Sequence, residues 1–509
     1  MVAALALGRD LEKAGVIVVA LLAATAVLAP TVRVRALAAG GALGLTPVLL
    51  IAEIWNTPQF RPLRERPALA LVLAVAGLAA VAAGAWLITR RPGLLPVAAV
   101  AVLPFRIPIA SGGDTANLLV PLYLVVAAGA VAVLVADLRG RPFLPAPRRP
   151  GWLEWVLLGF VSLYAVQAAY SSAFPKALEQ VVFFYVPFAL LFAMLVRYEW
   201  TSRRLAICLA VLTTLAVAFT CIGVVEYATR TLLLNPKVIS ANQFQSYFRV
   251  NSLFFDPNIF GRFLAVVMTL LAAVLLWERA RSRILGVALC LAVLWVGLVL
   301  SLSQSSLAGL LVGLAVLGAL RFGTRRAAAA VGAALAVGLV IVVAFPHTIR
   351  LNVNNLQSLN GSTSGRADLV RGGIDLFAAR PLQGWGSGSF AHEFRVQKET
   401  SNERAAAASH TIPITVAAEQ GIFGLALYVL LLIVALGRLG RGARGSPARA
   451  AILAAFAGLV VHTFLYAAFL EDPLVWALLA VGTALAAAGG TGSPQPAPGR
   501  SEPAPAATA

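Results

Sequence analysis

Residues 284–302 read ILGVALCLAVLWVGLVLSL, and after Ser303 a second run, QSSLAGLLVGLAVLGAL, fills positions 304–320. Each run is close to the ~20 residues that an α-helix, rising about 1.5 Å per residue, needs to cross roughly 30 Å of hydrocarbon. Neither alternates apolar and polar residues with the period of two that a membrane β-barrel strand requires. A helix satisfies its own backbone inside lipid, so helical spans are the reading. Similar runs recur along all 509 residues, of which 60% are hydrophobic and only 12% charged. An ordinary soluble chain is about half apolar and about a quarter charged, which excludes a soluble globular domain. The expected fold is all-α: a polytopic integral membrane protein of about 12–15 transmembrane helices with a large extracytoplasmic loop carrying short amphipathic helices.

Apolar runs fall near 14–29, 36–54, 68–89, 94–110, 117–137, 152–168, 176–196, 203–228, 258–277, 284–302, 304–320, 327–345, 411–437, 449–469 and 473–488. The first follows a mixed-charge stretch ending at Lys13 and lacks a small-residue cleavage site, so it is expected to be retained. The chain divides into N-terminal helices (1–245), a second group of helices (246–345), a large loop (346–410), C-terminal helices (411–488) and a Pro-, Ala- and Gly-rich tail (489–509) expected to be disordered and cytoplasmic. Cys208, Cys221 and Cys290 all lie within apolar runs, as packing residues do.

The net charge of +19 comes from Lys and Arg scattered between apolar runs, without the aromatic-interleaved surface that would point to nucleic acid. Arginines at 139–149, 197–204, 279–283, 321–326 and 438–449 fall on one side by span count, and the positive-inside rule makes that side cytoplasmic. Such loops also meet anionic membrane lipids. Three consecutive basic connections, Arg33 with Arg35, Arg61 to Arg66, and Arg90 with Arg91, break the count, so one N-terminal span is expected to be re-entrant or false.

Two connections stand apart, both outside: one from about Thr229 to Pro257, the other from Pro346 to His410. Loops of this length are usually functional or disordered. In the second, Leu369, Ile374 and Phe377 recur at roughly helical spacing, which predicts an interfacial amphipathic helix stopped by Pro381. Arg249, Arg366 and Arg371 are candidate polyanion ligands, because guanidinium groups bind phosphate oxygens in pairs and stay charged. Anchorage to lipid headgroups is the plainer use of the same residues. The glycine-rich Gly384-Trp-Gly-Ser-Gly388 exposes backbone but lacks the lysine of a P-loop, and a plain turn after Pro381 explains it equally.

His410 stands where the long loop re-enters the membrane, ahead of Glu419-Gln-Gly-Ile-Phe-Gly424, and can serve as a base near neutral pH. His462, within a span, is expected to hydrogen-bond a neighbouring helix, and the Ser301–Ser306 turn to cap one. No histidine or acid pair has metal-ligand spacing, so no catalytic metal and no cofactor are expected. The acids Glu53, Glu226 and Glu471 sit near span ends, not at the depth that a proton-coupled transporter needs.

These segments together resemble the O-antigen ligase and O-antigen polymerase family of membrane glycosyltransferases. The likeness rests on Arg249 through Asn258, Ser301 to Ser306, Ser364-Gly-Arg366 through Gly388, and His410 through Gly424, spanning roughly residues 245–490. The family signature is a histidine, then usually Asn, Ser or Gln, nine residues, and Gly-x-x-Gly; here His410, Thr411 and Gly421-Ile-Phe-Gly424 fit it except for the threonine. Where many relatives have Ser-Arg, this chain has Ser303-Gln304. The resemblance implies His410 as catalytic base and Arg249 and Arg366 as the pyrophosphate-binding pair. It implies an undecaprenyl-diphosphate-linked glycan donor, an acceptor hydroxyl on a saccharide, lipid or protein, and a site on the extracytoplasmic face of a bacterial cytoplasmic membrane. Ligase, polymerase and protein glycosyltransferase share that donor chemistry and stay open, as do the sugar, the acceptor and the oligomeric state. A flippase of lipid-linked saccharides is the rival: it would need no base at His410 and would line a path through both leaflets.

Overall fold

A computed structural model describes residues 2–55, 61–105, 107–111, 114–233, 248–344, 366–398 and 411–488. The protein is a polytopic helical membrane protein. Among the described residues, ten helices are long and apolar enough to cross a bilayer, joined by three shorter apolar ones.

The chain enters through α1 (Val2–Leu28) and α2 (Val32–Ile54), then a short α3 (Arg61–Glu65) and α4 (Pro67–Arg90). The expected span over 94–110 is not a single helix. Nine residues form α5 (Leu94–Val102), and the chain then turns into an antiparallel hairpin, β1 (Ile107–Ser111) against β2 (Asp114–Leu118), before α6 (Val120–Leu138). Pro104 and Pro108 each lack the N–H that a continuing helix needs, which ends the helix despite the apolar run.

Next come α7 (Trp152–Ala168), and then α8 (Phe174–Gln180) and α9 (Val186–Leu195) joined by a π-helical turn, followed by α10 (Ser202–Thr229). The second group comprises α11 (Pro257–Trp277), α12 (Arg281–Ser301), α13 (Gln304–Phe322) and α14 (Thr324–Ala344). The outer segment supplies α15 (Arg366–Ala379) and α16 (Phe390–Gln397). The chain closes with α17 (Ile412–Gly440), α18 (Pro447–Thr463) and α19 (Pro473–Ala488). The tail expected over 489–509 lies outside the described residues, as does much of the 346–410 loop.

Several helices start where the sequence supplies a cap. Thr31, Thr201, Ser303 and Ser446 each accept a backbone N–H two or three residues into their helix, and Asp256 accepts that of Asn258 ahead of Pro257 at the first helical position. Helix α11 is the hub, with 78% of its span buried, whereas α4 is peripheral at 6%. Close packing uses small residues: a Cβ on Gly309 would stand 2.9 Å from the Gly458 carbonyl oxygen, so α13 and α18 touch backbone to backbone.

The basic loops share one end of the bundle. Arg321 donates to the Leu276 carbonyl, and Arg35 to that of Arg148, so the Arg33–Arg35 connection belongs with them. Arg9 lies over Phe174 at the opposite end.

Two buried ion pairs bolt helices together. Arg197 meets Asp137 at 3.0 Å, and Arg262 meets Asp472 at 2.6 Å while also donating to the Ala468 carbonyl. Leaving one member of such a pair unpaired costs about 3–5 kcal/mol, whereas replacing both with apolar groups is often neutral. Asp472→Leu is therefore expected to lower the melting temperature sharply in detergent, and the Arg262→Met/Asp472→Leu double variant to recover most of the loss, as read by thermal fluorescence-detected gel filtration.

Candidate functional site

The polar residues of interest gather at the end opposite the basic loops. Helix α10 places Glu226 so that its carboxylate accepts the backbone N–H groups of Leu233, Asn251 and Ser252, which anchors the returning chain. Ser252 has a positive φ of 51° and is fully buried, so the chain turns sharply there. The turn presents Arg249, whose Nε donates to the Ser301 carbonyl at 3.0 Å and whose Nη2 donates to Asn258 Oδ1 at 3.1 Å. Ser301 is the last residue of α12, so the guanidinium sits at the negative end of that helix.

The Ser301–Ser306 turn works as the cap expected of it, and also as a polar hub. Ser303 Oγ donates to Asn258 Oδ1 at 3.0 Å, and Ser306 Oγ donates to the Asn258 carbonyl at 3.2 Å. His462 Nε2 lies 3.2 Å from Ser305 Oγ, so this histidine does bond a neighbouring helix. Asn251 Nδ2 and Oδ1 and Ser252 Oγ are buried with no hydrogen-bond partner among the described residues. From His462 the chain continues to Phe464, whose carbonyl accepts Thr411 Oγ1 at 3.2 Å. A connected series of polar contacts and short chain segments thus runs from Arg249 to the residue beside His410.

His410 itself lies outside the described residues. Arg366 is the first residue of α15, and its side chain also lies outside them. Arg371 is exposed. Five residues of helix put positions 366 and 371 about 140° apart around the axis, so they do not share a face. Nor is the apolar face of α15 the expected one. Leu369 and Leu376 are buried against Phe390, Phe394 and Ala418, while Ile374 is 50% exposed. Positions 369, 372, 373 and 376 follow the i, i+3, i+4, i+7 rule, and glycines at 372 and 373 hid that stripe from a reading based on large apolar residues. The helix is docked on protein through this stripe.

The glycine motifs explain the docking. Gly421 has φ 65° and ψ −161°, a conformation essentially reserved for glycine, and it breaks α17. The break releases carbonyls that the outer segment and α7 use: Ala418 accepts Trp385 N–H at 3.1 Å and Glu419 accepts that of Gly386 at 2.8 Å, both from the outer segment, and Gln420 accepts Gln167 Nε2 of α7 at 3.1 Å. Ile422 N–H in turn bonds the Pro381 carbonyl at 2.8 Å. The Glu419 carboxylate takes the N–H groups of Gly388 and Phe390 at the start of α16. A Cβ on Gly421 would strike the Leu382 carbonyl, and one on Gly384 would strike that of Glu419. The Gly384–Gly388 stretch is therefore a backbone splice between loop and span.

The acids and bases buried here were only partly visible in the sequence. Arg262 and Asp472 form a pair that the reading of acids near span ends did not include, although an arginine within an apolar run is itself a signal. Glu471, in the connection between α18 and α19, has its carboxyl held above the ordinary range by desolvation, against the pull of backbone N–H groups and of Arg262 and Lys176. Among the described residues no group of three or more His, Cys, Asp or Glu has the arrangement to hold a metal ion.

Residues 289–429 match the family model described as O-antigen ligase. The match runs from within α12 through the serine turn, the outer helices and the Gly421 break, and supports membrane glycan transfer of the ligase type. No curated protein matches the chain.

Gly421→Ala is expected to cost at least about 1–3 kcal/mol from backbone strain alone. It should also open the outer segment to limited proteolysis near residues 380–400, without loss of the spans. For Glu471 the sign follows from linkage: a carboxyl raised in the folded state adds stability at low pH that is lost as pH rises through its folded value. Glu471→Gln should flatten the pH dependence of the melting temperature above about pH 4.3, the ordinary glutamate value.

Proposed function

We propose that this O-antigen ligase-domain protein transfers a glycan from an undecaprenyl-diphosphate carrier to an acceptor hydroxyl on the extracytoplasmic face of a bacterial cytoplasmic membrane. The observation that carries the reading is the run of contacts at one end of the bundle from Arg249, through Asn258 and the Ser301–Ser306 turn, to His462 and Thr411. Much of it lies within or beside the matched residues 289–429. The five basic loops at the other end support that end as cytoplasmic.

In the proposed step, His410 takes the proton of the acceptor hydroxyl as its oxygen attacks the anomeric carbon. The bond from that carbon to the diphosphate breaks, and the electron pair leaves with the lipid diphosphate. Arg249 and Arg366 neutralise the charge that develops on the leaving group, the role that preorganised cations fill in phosphate chemistry. Arg371, exposed on its helix, adds longer-range attraction for the anion. A diphosphate is a competent leaving group once neutralised, so the step uses no metal and no nucleotide. A single displacement inverts the anomeric centre. The carrier's polyprenyl tail lies among the lipid-facing helices.

The test is transfer from purified undecaprenyl-diphosphate glycan in proteoliposomes containing EDTA. The wild type should form product, and Arg249→Ala, Arg366→Ala and His410→Ala should each lower the rate; loss of a general base typically costs about 10²–10⁴-fold. Donor movement across the bilayer without a new glycosidic bond would instead establish a flippase.

A further inference from the structure

A large cavity lies at the other end of the protein. It measures about 860 Å³ and is enclosed by the basic loops at 145–154, 196–201 and 437–441, with the ends of α1 and α19. Its lining carries Arg35, Arg148, Arg149, Arg197, Arg438 and Arg441 against only two acids, Glu154 and Glu199. Glu154 is already engaged, accepting the Gly151 N–H at 3.0 Å. Positive charge is therefore in excess, and part of it is dry. The Arg197 side chain is only 6% exposed; Nη1 bonds Asp137 and Nε bonds the Pro145 carbonyl, but Nη2 is buried with no partner among the described residues. Thr483 Oγ1, also in the lining, is buried in the same condition. Arg35 is likewise 5% exposed. Desolvated cations are costly unless an anion faces them.

The wall beside the arginines is apolar, built from Val27, Ile433, Val434 and Leu485. Ile433 is 62% exposed and Trp152, at the rim, 78% exposed, as side chains at a lipid-facing mouth would be. A phosphate alone would leave that wall and most of the volume unused. We propose that this cavity binds the phosphate headgroup of an anionic phospholipid, with Arg197 and the arginines of the three loops on the phosphate and the start of the acyl chains along the apolar wall. The occupant is an amphiphile from the leaflet on the arginine-rich side, where anionic lipid attracts basic segments. The site is separate from the proposed transferase site and does not depend on it.

Native mass spectrometry and thermal shift of the full-length protein in neutral detergent would test this, with dioleoyl phosphatidylglycerol, dioleoyl phosphatidylcholine or inorganic phosphate as the added probe. Phosphatidylglycerol should give a saturable single adduct and a raised melting temperature, with phosphatidylcholine and millimolar phosphate giving neither. Arg438→Gln/Arg441→Gln and, independently, Arg148→Gln/Arg149→Gln should weaken that binding at least tenfold. Arg281→Gln/Arg283→Gln, on a basic loop away from the cavity, should leave it unchanged. Equal retention of both lipids, equal loss in the Arg281/Arg283 control, or an effect of phosphate alone matching that of phosphatidylglycerol would overturn the proposal. Variants that elute as aggregates are replaced by the other pair, so misfolding does not mimic loss of the site.

Discussion

A carbonyl released from a helix inside or at the edge of a membrane must find a donor, and at Gly421 this requirement organises the site end of the protein. The break in α17 frees the carbonyls of Ala418, Glu419 and Gln420, and the N–H groups of Trp385 and Gly386 and the amide of Gln167 take them up. The outer segment is consequently held at atomic distance from the bundle, because neither backbone can retreat without stranding polar groups. Glycine at 384 and 421 is the condition for that approach. Gly421 thus serves a structural purpose, fixing where the outer helices sit relative to α17.

The molecule is divided by charge into two ends with different chemistry. One gathers arginines from loops far apart in sequence around a large cavity. The other holds Arg249 against a helix terminus and Arg262 against a buried acid, among serines, an asparagine and a histidine. A transferase of lipid-linked glycans needs such a positioned, partly dry polar site on one face, since a guanidinium already held in place stabilises a departing diphosphate without reorganising. Arg249 is held this way by the Ser301 carbonyl and Asn258.

Much of the fold was legible because lipid imposes strict demands: length and apolarity located nearly every span, and Asp256-Pro257 and Ser303 begin helices as their chemistry dictates. The run at 94–110 misled because its apolar content matches a span while two prolines deny it a helical backbone. The docked face of α15 was misassigned because glycines carry no hydropathy, yet fill the stripe between Leu369 and Leu376. Pairings across the chain, such as Arg262 with Asp472, Gln167 with Gln420 or Ser305 with His462, depend on helix packing that no local pattern encodes. The Asp256-Pro257-Asn258 cap that follows Arg249 fixes the loop beside it.

The central claim is that glycan leaves a lipid diphosphate and joins a hydroxyl in one step. Phosphorus NMR of the purified protein turning over undecaprenyl-diphosphate glycan, with the anomeric configuration of the product read in the same sample, measures this directly. One lipid diphosphate released per new glycosidic bond, with inverted configuration, is the expected result. Donor that stays intact while it changes leaflet, or release of diphosphate without a new glycosidic bond, would contradict it.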